Sequence, residues 1–133
     1  AAILASEGDV IAVEYNQNDR KTMEENIQKF GLNNVHIIDH VDDKTLAGLP
    51  VPALAFLVAS ASMEQELQCL LKLNPRMRFV IYTLDFRTAA NLPALFTQMG
   101  IGGCEVVQIA VSKLTAKNTF EAQPAPWLIS GQA

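Results

Sequence analysis

No apolar run in the sequence approaches the ~20 residues that a membrane-spanning helix needs, and no stretch has the make-up of a signal peptide. The chain is therefore expected to be soluble and cytoplasmic, with no membrane partner. Cysteine is scarce. Cys69 and Cys104 stand in apolar contexts, Leu-Gln-Cys-Leu-Leu and Gly-Gly-Cys-Glu-Val, which suits two buried free thiols in a reducing compartment. Histidine is equally sparse, and neither His36, within a strand-like run, nor His40 has a Cys or carboxylate at ligand spacing. Both are read as structural, and no metal site is expected. There is no Ser-His-Asp set, no phosphate-cradling glycine loop, no internal repeat and no low-complexity tract. Basic residues number 10 against 14 acidic ones, and this net charge of −4 argues against a nucleic-acid backbone as partner.

What is present is apolar and periodic. Half of the 133 residues are hydrophobic and only 18% are charged, so a single domain over 1–133 with a real core is expected. The stretch from Gly8 to Asp39 organises the rest. Val10-Ile-Ala-Val is the run a buried parallel strand needs, and Glu14 stands at its carboxyl end, followed by Tyr15 and Asn16. Asn16 can cap a helix, with Asp19 in the first turn. Met23, Ile27 and Phe30 then share one face, while Lys21, Glu25 and Lys29 are spaced as ion pairs on another. Gly31 should end the helix in a left-handed cap with Leu32 supplying the apolar contact, and Val35 to Asp39 is the next strand. This is a βαβ unit with one carboxylate at a strand tip, the usual place to hold a ribose.

Elsewhere the pattern alternates. Ala1 to Glu7 has the look of a helix end closed by Gly8, and a helix running directly into a parallel strand implies an earlier strand. The chain also lacks an initiating Met, so it is read as a piece of a longer protein. Residues 40–52 are expected to form a loop with a short helix. Leu54 to Val58 reads as a buried strand, ending in Ala59, Ser60, Ala61 and Ser62. Ser62 and Gln65 are spaced as a capping box for a helix whose face is Met63, Leu67, Leu70 and Leu71. Asn74-Pro75 breaks it before a strand over Arg78 to Leu84. A helix from Asp85 to Met99 follows, with Pro93 bending it or marking its true start, and it stops at Gly100. A longer strand, Cys104 to Lys113, then pairs antiparallel with a return over Phe120–Ala122 and Trp127–Ser130, and Trp127 is expected to pack in the core or at an interface.

Alternation closed by an antiparallel hairpin separates a Rossmann-like class I methyltransferase sheet from the all-parallel sheet of a nicotinamide-dependent dehydrogenase. The residues then resemble a named family. Gly8-Asp-Val-Ile-Ala-Val-Glu-Tyr-Asn16, Glu25 to Val35, Leu49-Pro-Val-Pro, Val106 to Ser112 and Phe120-Glu-Ala leading to Leu128-Ile-Ser-Gly131 resemble the S-adenosylmethionine-dependent precorrin-6Y 5,15-methyltransferase (decarboxylating) family of cobalamin biosynthesis. The likeness is to its carbon-15 methylating domain. It implies a methyltransferase acting on a precorrin tetrapyrrole, with S-adenosylmethionine as cofactor and a homo-oligomeric state. Where the family has a Gly-Gly-Ser-Gly stretch this chain has Val58-Ala-Ser-Ala61, and Arg76-Met77 stands where a glycine pair is expected. The family's first strand and glycine-rich loop would lie upstream of Ala1.

Carried onto this chain, the resemblance and the strand-end rule select Glu14, Tyr15, Val41, Asp42, Ala59 and Ser60 for the cofactor. Glu14 would accept from ribose hydroxyls and Asp42 from the adenine amino group. Ser60, Thr83 and Leu84, with Tyr82 beside them, would line the substrate cleft. No catalytic base can be named, because an activated sulfonium needs alignment more than proton transfer. The alternative is a degenerate, non-catalytic interaction domain. With the first strand missing, Val10–Glu14 and Leu54–Val58 are expected to pair with each other or to take a strand from a second copy. The 133 residues alone should then bind S-adenosylmethionine more weakly than millimolar.

Overall fold

Two helix ends show how local sequence sets the architecture. In a computed structural model that describes residues 1–3 and 7–133, α1 (Gln17–Lys29) follows β1 (Val10–Val13) and leads to β2 (Val35–Ile38). Asn16 caps α1, its side chain accepting from the backbone N–H groups of Asn18 and Asp19. At the other end Gly31 adopts φ +62°, the Gly31 N–H donates to Gln28 O at 3.1 Å and the Leu32 N–H to Ile27 O at 3.0 Å. That pair of bonds is a Schellman closure, which the Gly31-Leu32 sequence anticipates. The same closure ends α3 (Phe86–Gln98): Gly100 lies at φ +75°, and the Ile101 N–H donates to Phe96 O at 2.8 Å.

The chain divides into two units, Ala1–Pro52 and Ala53–Ala133. In the first, β1 and β2 pair in parallel from Val10 with Val35 to Val13 with Ile38. Asn34 ties the entry to this ladder, its side-chain amide donating to Ala2 O at 3.1 Å and to Gly8 O at 2.9 Å. The helix end expected over Ala1–Glu7 falls partly on residues 4–6, outside the described residues. Met23 and Ile27 turn the half-buried face of α1, whereas Phe30, expected beside them, is exposed. The strands themselves are half-buried rather than buried. No ion pair forms among Lys21, Glu25 and Lys29, since the salt bridges of the described residues all involve histidine. Exposed pairs of this kind gain too little to fix two long side chains.

The second unit is a four-stranded sheet in the order β3-β4-β8-β5, formed by β3 (Leu54–Val58), β4 (Arg78–Thr83), β8 (Trp127–Gln132) and β5 (Gly102–Gln108). β3 and β4 run parallel, and β8 lies antiparallel to both β4 and β5. The expected α/β class with an antiparallel ending is what the fold shows. The core is centred on Phe79 and Ile81 of β4, Leu67 and Leu70 of α2 (Met63–Leu73), Leu92 and Phe96 of α3, Met77, and Ile129 of β8, with Met63, Ala89 and Ile101 around them.

Several expectations need correction. The loop after β2 holds turns and no helix: Asp42 accepts from the N–H groups of Lys44 and Thr45 as a helix cap does, but the turns it starts stop at Gly48, at φ +81°, ahead of Pro50. Ser62 makes no capping bond to the helix it precedes, being in the αR region itself, and its hydroxyl turns to Glu66 rather than pairing with Gln65. Pro93 lies inside α3 and does not start it, because Asp85 caps the helix eight residues earlier through the N–H groups of Arg87 and Thr88. The strand expected over Cys104–Lys113 is two, β5 and β6 (Ser112–Leu114), because β5 pairs with β8 while β6 turns to pair with β7 (Phe120–Ala122). β3 is half-buried on one face only: Ala55 and Leu57 are partly covered, whereas Leu54, Phe56 and Val58, on the alternate face, are exposed. Neither Cys69 nor Cys104 is in a disulfide, but Cys69 is only partly covered and Cys104, on the exposed strand β5, is not buried. Within the first unit β1 pairs with β2, and within the second β3 pairs with β4.

At Gly131, β8 comes close to Phe96 of α3 and to Ile101 just beyond it. A Cβ at Gly131 would lie 2.7 Å from Ile101 Cγ2 and 2.9 Å from Phe96 Cδ2, both side chains being buried. Gly131→Ala is therefore expected to destabilise the chain by ~1–3 kcal/mol through overpacking. A urea midpoint equal to that of the unsubstituted chain would contradict this packing.

Candidate functional site

In the first unit the site residues stand where β1 and β2 end. Glu14 continues β1, its N–H donating to Ile38 O at 3.1 Å. Its Oε1 accepts from the Asn16 N–H at 2.8 Å, and among the described residues Oε2 carries no hydrogen bond. Arg20, from the first turn of α1, donates through Nη1 to Glu14 O at 2.7 Å and to Tyr15 O at 2.9 Å. The turn that presents the carboxylate is thus fixed from both sides. Arg20 was missed in the sequence, where an arginine in a first helical turn gives no sign of reaching back to the strand tip. Tyr15 is exposed and Glu14 half-buried, as are Val41 and Asp42.

The loop after β2 is organised by Asp42 and His40. Asp42 Oδ1 accepts from the N–H groups of Lys44 at 2.9 Å and Thr45 at 2.7 Å, and Oδ2 meets His40 Nε2 at 2.9 Å. The other ring nitrogen of His40 lies 2.6 Å from Asp39 Oδ1. Neither carboxylate was matched to His40 in the sequence, although the Asp-His-Val-Asp run contains both. His36 likewise meets Asp9, at 2.8 Å. Both histidines therefore have structural partners. A carboxylate offers about four lone-pair positions, so Asp42 retains capacity for one further donor. An open cavity of about 350 Å³ lies nearby, lined by Arg20, Glu24, Ile37, Ile38, Asp39 and Thr45, but none of the four expected residues of this unit lines it.

In the second unit the ends of β3 and β4 are joined by the Ala59 N–H, which donates to Tyr82 O at 2.8 Å. Ala59 is half-buried and Ser60 exposed. Ser60 Oγ lies 3.0 Å from Ser62 Oγ, which donates to Glu66 Oε1 at 2.6 Å. After β4, Thr83 is buried, with 5% of its surface accessible, and its Oγ1 accepts from the Asp85 N–H at 3.1 Å. Leu84 is exposed. Asp85 spends its carboxylate on Arg87 and Thr88, and the Thr88 hydroxyl bond, first among these contacts, holds its pKa below the usual carboxylate range. Beside this turn the rings of Phe86 and Trp127 stack obliquely at 5.9 Å. Among the described residues no His, Cys, Asp and Glu cluster could hold a metal ion, and no helix is long and apolar enough to cross a membrane.

A parallel-strand βαβ unit and a sheet closed by an antiparallel strand define the Rossmann-like class I methyltransferase fold. The solved structures agree. The precorrin-6y C5,15-methyltransferase of Geobacter metallireducens is 21% identical with a TM-score of 0.80, over 93% of this chain and 66% of that one. The precorrin 8W decarboxylase of Methanobacterium thermoautotrophicum is 19% identical with a TM-score of 0.74, over 94% and 70%. A SAM-dependent O-methyltransferase of Thermotoga maritima is 16% identical with a TM-score of 0.68, over 97% and 51%. The chain thus spans between 51% and 70% of these proteins, and at such identities the likeness is one of fold. No curated protein matches the sequence significantly. The sequence itself matches the precorrin methyltransferase domain over residues 2–126, across both units. The chain belongs to the precorrin methyltransferase domain family.

The Asp39-His40-Asp42 cluster has a pH signature. Chiefly the hydrogen bond to Asp42, helped by the charges of Asp39 and Asp42, raises His40 above its ordinary 6.5. The Thr45 N–H above all, then the Thr45 side chain and His40, lowers Asp42 from 3.8 to about 2. A raised histidine stabilises fully below 6.5 and loses this as pH climbs through its folded pKa, whereas a lowered aspartate stabilises above 3.8 and loses this as pH falls towards about 2. The loop should be held best between those limits. Ring-proton NMR is expected to give His40 a midpoint above 6.5 that falls in Asp42→Asn. A midpoint unaffected by that substitution would contradict the pairing.

Proposed function

We propose that this chain is part of an S-adenosylmethionine-dependent methyltransferase that methylates a precorrin tetrapyrrole, with loss of a carboxyl group as carbon dioxide, in cobalamin biosynthesis. The observation that carries this is the family match over residues 2–126. We further infer that residues 1–133 form a single methyltransferase domain whose first strand and glycine-rich loop come from upstream of Ala1, and that it works in the cytoplasm. The net charge of −4 disfavours nucleic acid as the substrate.

The residues present fit the cofactor at the strand ends. Glu14 is pre-positioned by Asn16 and Arg20 with Oε2 open, which suits a ribose diol. Tyr15, beside it, and Val41 would flank the nucleoside, and Asp42 can accept one more N–H, such as an adenine amino group. In the second unit Ala59 and Ser60 at the end of β3 would meet cofactor and substrate, and Leu84 would line the substrate cleft. Thr83, buried, would act through the turn it forms with Asp85. The cofactor, when bound, supplies an activated sulfonium methyl. The chain's own work is to orient the acceptor carbon and exclude water, so no base is assigned.

Calorimetric titration with S-adenosylhomocysteine tests this. The chain extended upstream is expected to bind, and the 133 residues alone more weakly than millimolar. Glu14→Ala in the extended chain should cost ~1–3 kcal/mol by losing charge-assisted bonds to ribose. Unchanged affinity would remove Glu14 from the site, and no binding by the extended chain would favour a non-catalytic interaction domain.

The assembly is also open to test. Val106, Val107, Ile109, Val111, Leu114 and Phe120 are all exposed along β5, β6, β7 and the segment between β5 and β6. We read this apolar surface as the contact between copies of the chain in a homo-oligomer. Light scattering at micromolar concentration should give an oligomer that Val107→Asp disperses, whereas a monomer would refute the contact.

A further inference from the structure

We propose that Ser60, Ser62 and Glu66 form a one-way hydrogen-bond relay that makes Ser60 a fixed acceptor, so that the end of β3 receives an N–H donor of the ligand. Ser62 Oγ donates to Glu66 Oε1 across 2.6 Å. A serine hydroxyl carries one hydrogen, so in its 3.0 Å contact with Ser60 Oγ the Ser62 oxygen must accept. The hydrogen of Ser60 is then committed to Ser62. Only lone pairs are left on the Ser60 oxygen for a group arriving from solvent.

Local structure explains why the relay is fixed. Ser62 precedes α2 at φ −89° and ψ −6° and makes no capping bond, which leaves its hydroxyl to reach Glu66 one turn along the helix. Glu66 is 6% exposed, on the same helix face as the buried Met63, Leu67 and Leu70. Burial falls along the relay, from Glu66 through the half-buried Ser62 to the exposed Ser60. The backbone of Ser60 is held as well, by the Met63 N–H donating to its carbonyl at 3.3 Å and by the Ala59 N–H on Tyr82 O. Rotor and backbone are therefore both set before a ligand binds. Such a group favours a donor and disfavours a carboxylate, which can only accept.

Ser62 and Glu66 are accordingly positioning residues, and Ser60 is the group that touches the ligand. This rests on the proposed function for the ligand's identity. Two sources could supply the donor: the ammonium of S-adenosylmethionine or a ring N–H of a tetrapyrrole. Ser60 would select whichever is placed at the end of β3.

Two measurements decide it. A neutron structure of the chain grown in heavy water should place the deuterium of Ser60 towards Ser62, and that of Ser62 towards Glu66. A Ser62 deuterium directed at Ser60 would overturn the relay whatever the protein binds. Calorimetric titrations of the full protein chain with S-adenosylhomocysteine, and separately with a free-base porphyrin carboxylic acid, then identify the donor. For one of these probes Ser60→Ala and Ser62→Ala should each weaken binding about tenfold. The double variant should lose no more than Ser60→Ala alone, and Ser62→Thr should restore affinity. Additive losses, or affinities for both probes that no variant moves, would overturn the relay's role. Failure of the unsubstituted chain to bind either probe would count against the proposed function and against a ligand at Ser60, while the neutron result would still settle the hydrogen-bond direction.

Discussion

The entry of β8 between β4 and β5 is the constraint on which the second unit depends. Parallel strands need long crossovers with helices to cover them, whereas a last strand running the other way can return through the short β6–β7 hairpin. Its arrival requires a close approach. Ile129 is fully buried, and Gly131 offers no side chain, so Phe96 and Ile101 press against bare backbone. Those two residues are also the two ends of the Schellman bond closing α3. The end of one helix, the middle of one strand and the sheet order are therefore a single packing problem. Solving it fixes β4, whose carboxyl end carries the Thr83–Asp85 turn and holds the Ala59–Ser60 segment through Tyr82.

Much of the fold was legible because its signals were local. Asn16 and Gly31 bracket α1 by chemistry that acts within four residues, and the apolar runs at Val10, Leu54 and Arg78 match the strands to within a residue. The antiparallel ending was legible too, from the alternation of apolar and polar residues after Cys104. Errors arose where a side chain competed with the backbone or where a face met nothing. The Ser62 and Gln65 spacing satisfies a capping box, yet Glu66 one residue later takes the hydroxyl. Asp42 caps its turn as Asn16 caps α1, yet Gly48 and Pro50 stop the chain before a helix forms. Leu54, Phe56 and Val58 have the composition of a buried strand while lying on an uncovered face, a difference that periodicity cannot register in so short a run.

Of the candidate site, the strand-end carboxylate was the readable part, since Glu14 follows from topology alone. Its support was not readable. Arg20 acts on carbonyl groups five and six residues back, and the His40 pairing depends on how a loop folds over itself. The relay behind Ser60 was hidden for the same reason, since a buried glutamate on a helix face looks in sequence like an interruption of the apolar stripe. Residues that touch a ligand follow rules of fold, whereas the groups that orient them follow hydrogen-bond geometry.

Methyl transfer itself is the most direct test of what this chain does. The chain extended upstream should be incubated with S-adenosylmethionine and a precorrin, and the tetrapyrrole followed by mass spectrometry. The expected product has gained a methyl group and lost carbon dioxide, with S-adenosylhomocysteine released in equal amount. A tetrapyrrole recovered unchanged, from a chain that demonstrably binds S-adenosylhomocysteine, would contradict the assignment.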